Sequence, residues 1–263
     1  MENFEGKKVL VTGAAGVFGK WIASAFAKSG ASVCLSDNRG EKLQELAQTP
    51  EFENVNLLIH PTDLTDPNSI DDLVSLIKEE WGYVDFVINN AGLYPSHLLL
   101  EMTMEQWDKV FDVNLKAVFL LSQKLANLMI TNNIKGSIVN LTSGAAYRTR
   151  LGGGHYSTSK AALAMLTKAF ALELAPYQIR VNSVGPGFAP GSDVNLLDEN
   201  YVQKVVEGIP LGRTSQANDA PQAIMFLCSD KASFITGIDL PVDGGKSVGN
   251  FTTPRSYVPE EAK

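Results

Sequence analysis

Residues 7–26 read KKVLVTGAAGVFGKWIASAF, and the change of hydrophobic period inside that stretch decides the fold. Its first half is a short aliphatic run of the kind a buried strand makes, and its second half spaces apolar residues at helical intervals. Between the two stand Gly13, Gly16 and Gly19, three apart. A strand, a glycine-bearing turn and a helix in that order let the backbone approach a pyrophosphate, while the helix N-terminus offers free N–H groups and a partial positive charge. A glycine triplet alone equally describes a structural turn, so its weight comes from its context. The next apolar run, ASVCLSD, ends in Asp37, 18 residues past Gly19, where a carboxylate can accept from an adenosine ribose hydroxyl. Such a carboxylate repels a 2′-phosphate, which favours NAD over NADP. Arg39, two residues on, is an available phosphate partner, and the plain alternative for Asp37 is a solvated turn charge.

The alternation continues outward. Apolar runs at 8–11, 32–35, 56–60, 86–89, 136–141, 180–184 and 238–242 alternate with helical patterns, of which 104–130 and 157–174 are the longest and most apolar. This pattern predicts an α/β Rossmann-type domain: a doubly wound, mostly parallel seven-stranded sheet with helices on both faces. No linker, repeat or low-complexity run divides the chain, so one domain is expected over 1–263, with its core at 7–245 and a tail at 246–263. Asp63, after the third run, is placed to accept from an adenine amino group or to cap a helix over 69–81. Residues 185–198 contain GPGFAPGSD, too rich in Pro and Gly to continue a helix or strand, and are expected to form a mobile cover over a pocket.

Composition narrows the function. With 263 residues, 44% hydrophobic and 19% charged, the chain is an ordinary globular one rather than a disordered one. The net charge is −7 and no basic block is present, so no nucleic-acid partner is expected. Cys34 and Cys228 each lie in an apolar run, as buried thiols in a reducing compartment would. The N-terminal residues lack an export pattern and no run approaches the length of a membrane span, so a cytoplasmic location without membrane association is expected. No metal site is expected either.

The chemistry concentrates in YSTSKAALAMLTKAF, residues 156–170. Tyr156 and Lys160 are four apart in a helical pattern, so their side chains share one face, with about 6 Å of rise between them. An ammonium at about 6 Å in an effective dielectric of about 20 favours a tyrosinate by about 3 kcal/mol, some two pKa units. A Tyr and a Lys at this spacing are also a common surface pair, so the neighbours matter. Ser143 lies 13 residues upstream, just past the run GSIVNL, and open α/β sheets bind ligands at such strand ends. Its hydroxyl is suited to hold a substrate oxygen, or simply to cap a turn. Asn114, inside the long apolar run, must be buried and therefore partnered, by backbone, water or Lys160.

With these residues in place, the chain resembles the short-chain dehydrogenase/reductase family from residue 7 to about 245. The resemblance rests on VTGAAGVFG at the turn, NNAG at 89–92, Asn114, Ser143, YSTSK at 156–160, Pro186 with Gly187, and VDGG at 242–245. It implies a catalytic group of Asn114, Ser143, Tyr156 and Lys160. Tyr156 would be the general base in alcohol oxidation and the acid in ketone reduction; Lys160 would also hold a ribose hydroxyl, and Asn114 a water leading to solvent. It implies NAD contacts at Gly13, Gly16, Phe18, Gly19, Asp37, Asp63, Leu64, Asn90, Gly92, Tyr156, Lys160, Pro186 and Gly187. It also implies a homo-oligomer, a tetramer built on the two long helices and the last strand.

Two departures stand out. Gly16 comes one place earlier than in family members of this length, and Gly191 stands where many carry a threonine that touches the nicotinamide amide, a contact left to Ser192 or the backbone. For the small-molecule alcohol or ketone, candidate lining residues are Tyr94, His97, Tyr147, His155 and Phe188, and Arg148, Arg150 and Arg213 are candidates to meet an anionic group. A polyol, sugar or hydroxy acid is the expected kind of substrate. The rival readings are a nucleotide-sensing protein without catalysis and an epimerase or dehydratase that retains its NAD.

Overall fold

The computed structural model describes residues 3–191 and 198–249. In chain order the elements are β1 (Lys8–Thr12), α1 (Val17–Lys28), β2 (Ser32–Asp37), α2 (Gly40–Ala47), β3 (Leu57–Pro61), α3 (Pro67–Trp81), β4 (Phe86–Asn89), α4 (Met104–Phe111), α5 (Ala117–Thr131), β5 (Ser137–Leu141), α6 (Gly154–Leu174), β6 (Arg180–Pro186), α7 (Glu199–Glu207), α8 (Asp219–Cys228) and β7 (Asp239–Val242). The strands form one sheet in the order β3-β2-β1-β4-β5-β6-β7, every neighbouring pair parallel. The order reverses between β1 and β4, and the connections there leave in opposite directions, which opens a crevice at the carboxyl ends of the strands.

Strand residues alternate between the two faces, each covered by helices. Val9, Val11, Val33, Leu35, Phe86 and Ile88 pack on one side with Ile22 and Phe26 of α1 and Ile224 of α8. Leu10, Cys34, Val87 and Ile138 pack on the other with Ile70 and Leu73 of α3, Leu121 and Leu125 of α5, and Phe170 of α6. Burial of each such side chain contributes about 1.5–3 kcal/mol, so the two layers together carry the fold. Cys34 and Cys228 are both buried and unbridged.

Several expected boundaries move. β2 runs on to include Asp37, which is 6% exposed, so the reading of that residue as a solvated turn charge is overturned. β6 continues to Pro186, taking the first residues of the expected cover into the sheet; positions 192–197 of that segment, Ser192 among them, lie outside the described residues, as does the tail from 250. The cap of α3 is Asp66, whose side chain accepts from Asn68 N, and not Asp63. The run expected as one helix over 104–130 is continuous from Met104 to Thr131, its two α-helical parts, α4 and α5, meeting at a π-helical turn at Asp112–Lys116.

The turn after β1 shows why its glycines are needed. Gly13 has φ +63, and a Cβ there would lie 2.8 Å from Ala91 Cα. A Cβ on Gly19 would fall well inside contact with the Gly13 carbonyl oxygen and 2.8 Å from Ala14 Cα, whereas on Gly16 it would meet only Gly13 O, at 3.3 Å. Gly19→Ala is therefore expected to lower unfolding free energy by about 2 kcal/mol or more, and Gly16→Ala by less than about 1. Urea denaturation of the two variants checks the ranking; equal losses would contradict the packing described.

Candidate active site

The crevice is lined by the turns that follow β1, β4, β5 and β6. At its β1–β4 edge, Asn90 Nδ2 donates to the carbonyls of Thr12 (2.8 Å) and Gly13 (3.0 Å), and Thr12 Oγ1 accepts from the N–H groups of Asn90 (3.1 Å) and Ala91 (3.2 Å). These bonds hold the glycine turn in place, so Asn90 acts on the turn through its side chain rather than facing the crevice with it. α1 starts at Gly16 with no side chain capping it, which leaves its first N–H groups to a ligand. Asp37 closes the same edge: its carboxylate accepts from Ala15 N (3.1 Å) and from Arg39 Nε (2.9 Å) and Nη2 (3.1 Å). A glycine cradle, an uncapped helix start and a buried carboxylate together fit an adenine dinucleotide.

The remaining expected contacts on this edge are more varied. Asp63 is exposed and turns back on its own chain, accepting from Thr65 N (2.9 Å) and Thr65 Oγ1 (2.7 Å), bonds that hold its carboxyl below the usual range. Leu64 packs against the core beneath α3 and α5, and the Phe18 ring meets Trp21 edge-on at 5.4 Å. Gly187 donates to Val242 O (2.9 Å), and a Cβ there would lie 2.9 Å from Asp243 Cα, so β6 and the chain after β7 close on each other at this glycine.

The chemical end is built on α6. The Lys160 ammonium is 4% exposed, donates to the Leu141 carbonyl at the end of β5 (2.7 Å) and lies 5.9 Å from the centre of the Tyr156 ring. A Cβ on Gly92 would sit 3.4 Å from Lys160 Nζ and 3.4 Å from Asn114 Oδ1, so glycine is what lets the chain after β4 pass these two groups. Asn114 is 0% exposed and fully engaged: Oδ1 accepts from Leu93 N (2.8 Å), and Nδ2 donates to Leu93 O (2.9 Å) and Ser159 Oγ (3.1 Å). Leaving such an amide unpaired would cost about 1–3 kcal/mol. The π turn that carries Asn114 loosens the helix at this place, as π turns often do at functional sites. Ser159 Oγ in turn donates to Tyr156 O (2.8 Å), linking Asn114 to the tyrosine backbone.

Burial raises the Tyr156 phenol above its ordinary value; a hydrogen bond with Ser143 opposes this, Tyr94 adds to it and Arg150 opposes it. Net acidification of the phenol, expected from the Tyr–Lys spacing alone, is therefore not what this chain's own groups produce. Part of the reason is that Lys160 is itself buried, which pulls its pKa down to about 8, with Asp239 acting in the other direction.

Of the other candidates, Tyr94 lies edge-on to Tyr156 at 6.3 Å and His97 to His155 at 5.9 Å. Tyr147 instead donates to Asp239 (2.7 Å), and Arg213, a candidate to meet an anionic group, is tied by a forked pair to Asp219 (2.6 and 2.9 Å) on the surface. Lys246 Nζ lies 5.6 Å over the Phe188 ring. Sequence reasoning missed Thr12 and Ser159, whose hydroxyls work through neighbours; Ser159 lay inside the quoted YSTSK without drawing notice.

A family model described as Enoyl-(Acyl carrier protein) reductase matches residues 13–247. The chain is 37% identical over 243 residues to 3-oxoacyl-[acyl-carrier-protein] reductase of Thermotoga maritima, covering 92% of this chain and 98% of the relative. It is 34% identical over 259 residues to 2,3-dihydro-2,3-dihydroxybenzoate dehydrogenase of Bacillus subtilis, covering 94% and 98%. The crystal structure of 3-ketoacyl-(acyl-carrier-protein) reductase from Brucella melitensis complexed with NADH superposes with a TM-score of 0.84 at 33% identity, covering 93% of this chain and all of that one (100%). The chain belongs to the short-chain dehydrogenase/reductase family, a class of oxidoreductases that bind a nicotinamide cofactor on a Rossmann-like sheet. Among the described residues, no helix is long and apolar enough to cross a membrane.

The sign of the phenol's shift is open to direct measurement. Below its raised pKa Tyr156 is neutral and a proton donor; it becomes a base only on the alkaline side. Difference absorbance titration of cofactor-free protein against Tyr156→Phe should find this phenol ionising above its ordinary 10, and a midpoint below 10 would contradict the burial argument.

Proposed function

We propose that the protein is an NAD-dependent oxidoreductase that interconverts a secondary alcohol and a ketone, with Tyr156 as general acid and base. The observation that carries this reading is the convergence of Tyr156, Ser143 and a buried Lys160 at the carboxyl end of β5. In reduction the phenol gives its proton to the carbonyl oxygen; in oxidation the tyrosinate takes the hydroxyl proton. Ser143 holds the substrate oxygen, and Lys160, already anchored to Leu141, keeps donors for a ribose hydroxyl and favours the tyrosinate. Asn114 holds the chain at Leu93 beside them. When bound, NAD would supply the hydride acceptor and NADH the donor. Gly13, Gly16, Gly19 and Asp37 would hold its adenosine and pyrophosphate, and Gly92, Pro186 and Gly187 would flank the nicotinamide. The Asp37 carboxylate, held by Ala15 N and paired with Arg39, supports NAD over NADP, because a 2′-phosphate would have to compete with it for the guanidinium.

A polar substrate such as a polyol, sugar or hydroxy acid is the kind this reading takes; a cavity of about 490 Å³ beside the chain after β4 reaches the start of α6 through His97, which meets His155, while Ser143, Tyr156 and Lys160 do not line it. Its lining includes Ser96, His97, Glu101 and Gln106, which suit hydroxyl groups better than an acyl chain, along with Leu98 and Leu151. Assembly into a homo-oligomer is supported by exposed Phe119 on α5 and Met165 and Leu172 on α6, apolar residues on outward faces of the two long helices. The two buried thiols suit a cytoplasmic location.

Two measurements test the reading together. Tyr156→Phe is expected to lower turnover by about 10²–10⁴-fold while NAD binding, followed by calorimetry, stays within about threefold of the parent. A screen of secondary alcohols, polyols and hydroxy acids should release NADH into solution, with NAD preferred to NADP. Full activity in Tyr156→Phe would remove the mechanism, and turnover without free NADH would favour an epimerase or dehydratase that keeps its cofactor.

A further inference from the structure

Asp is depleted in strands, because a charged side chain on a pleated, half-buried surface loses solvation that the ladder does not return. β7 nevertheless begins with one, and its carboxylate is fully coordinated. Asp239 Oδ1 accepts from Thr142 Oγ1 (2.6 Å) and Ser183 Oγ (2.8 Å), and Oδ2 accepts from Tyr147 OH (2.7 Å). All three donors are neutral hydroxyls, so the bonds fix the carboxylate without cancelling its charge.

The three donors come from three separate places around the active site. Ser183 is on β6, the strand between β5 and β7. Tyr147 ends the turn that starts at Ser143. Thr142 stands between Leu141, whose carbonyl takes the Lys160 ammonium, and Ser143, which bonds the Tyr156 phenol. Thr142 N also donates to Val184 O (2.9 Å), so both its backbone and its side chain are tied toward the β6–β7 side. A shift of this one residue would move the anchor of the ammonium and the hydroxyl beside the phenol together.

We propose that Asp239 is a positioning residue for the proton-transfer group: it clamps residues 141–143 through Thr142, Ser183 and Tyr147, so that the carbonyl anchoring the Lys160 ammonium and the hydroxyl beside the Tyr156 phenol are held together. The inference rests on the reading of Tyr156 and Lys160 as that group. Among the described residues, Asp239 on β7 is the charged group that acts against the effect of burial on the Lys160 ammonium, and the Tyr156 ring lies 5.9 Å from that ammonium on the same helix. The same carboxylate, after burial, holds the Tyr147 phenol up at about 12, with Asp243 adding to it. Tyr147 therefore serves as a reporter of the clamp that does not depend on activity.

The test is Asp239→Asn, which keeps the shape and removes the charge. Without the carboxylate, Lys160 loses its proton at lower pH, so the limb of the oxidation profile set by the ammonium, near 8 in the parent, moves down and less of the ammonium–tyrosinate pair is present. The midpoint of that limb is expected to fall by about one unit, with the KM for NAD changed less than about twofold. In the absorbance titration the Tyr147 phenol should ionise nearer its ordinary 10 than in the parent, where it is held at about 12. A purely structural Asp239 would lower kcat or the melting temperature but leave the midpoint of the pH profile where it was, and that outcome overturns the proposal. Thr142→Val keeps the charge and breaks the clamp. It should lower kcat with a smaller shift of the profile and be rescued by Thr142→Ser; unchanged kcat in Thr142→Val would remove the clamp from the account. If Tyr156→Phe has already proved fully active, it is the catalytic reading that fails, whereas the Tyr147 titration still reports on the contact itself.

Discussion

The bond from the Lys160 ammonium to the Leu141 carbonyl joins the helix that carries Tyr156, the proposed proton-transfer residue, to the sheet that organises everything else. α6 contributes Tyr156 and Lys160 from one face, and β5 supplies the carbonyl and, two residues on, Ser143. An ammonium this deeply buried is unfavourable by itself, as its lowered pKa records. It is kept because the carbonyl meets one of its protons and because a group of opposite charge lies beyond the strand. The other features of the site make room for this contact or stiffen it. Gly92 lets the chain pass beside the ammonium, Asn114 ties that chain to the π turn, and Ser159 ties Asn114 back to the tyrosine backbone.

The nucleotide edge follows a different logic. There the chain leaves backbone groups open instead of filling them: Gly13 in a left-handed conformation, Gly19 where no side chain fits, and a helix start without a capping side chain. One buried carboxylate, Asp37, closes this edge, and on the proposed reading it would add selectivity to an otherwise general phosphate cradle. The two edges meet at the reversal of strand order, so on the proposed reading one topological feature would set both where the dinucleotide lies and where its reacting end meets the tyrosine.

The sheet was legible because its strands are continuous apolar runs bounded by glycines and polar turns, and period alone separates them from the helices. Tyr156, Lys160, Ser143 and Asn114 were legible as residues because their spacing and placement at strand ends are local. What could not be read locally was the partner of each group. The burial of Asp37 depends on its pairing with β3, and the partner of Asn114 in the π turn is Leu93, 21 residues away. The sign of the phenol's shift was misjudged for the same reason, since spacing gives the distance to the ammonium but not the burial of both groups. Asp239 drew no attention because its three donors lie between 56 and 97 residues away in sequence.

If the ammonium and phenol act as one unit, removing either should cost nearly as much as removing both. A double-mutant cycle of kcat/KM for alcohol oxidation over Tyr156→Phe, Lys160→Met and the two combined measures that directly. The account predicts a double variant within about threefold of the slower single one, far from the product of the two losses. Losses that multiply would mean that the two side chains act independently, contradicting the coupling on which the site is built.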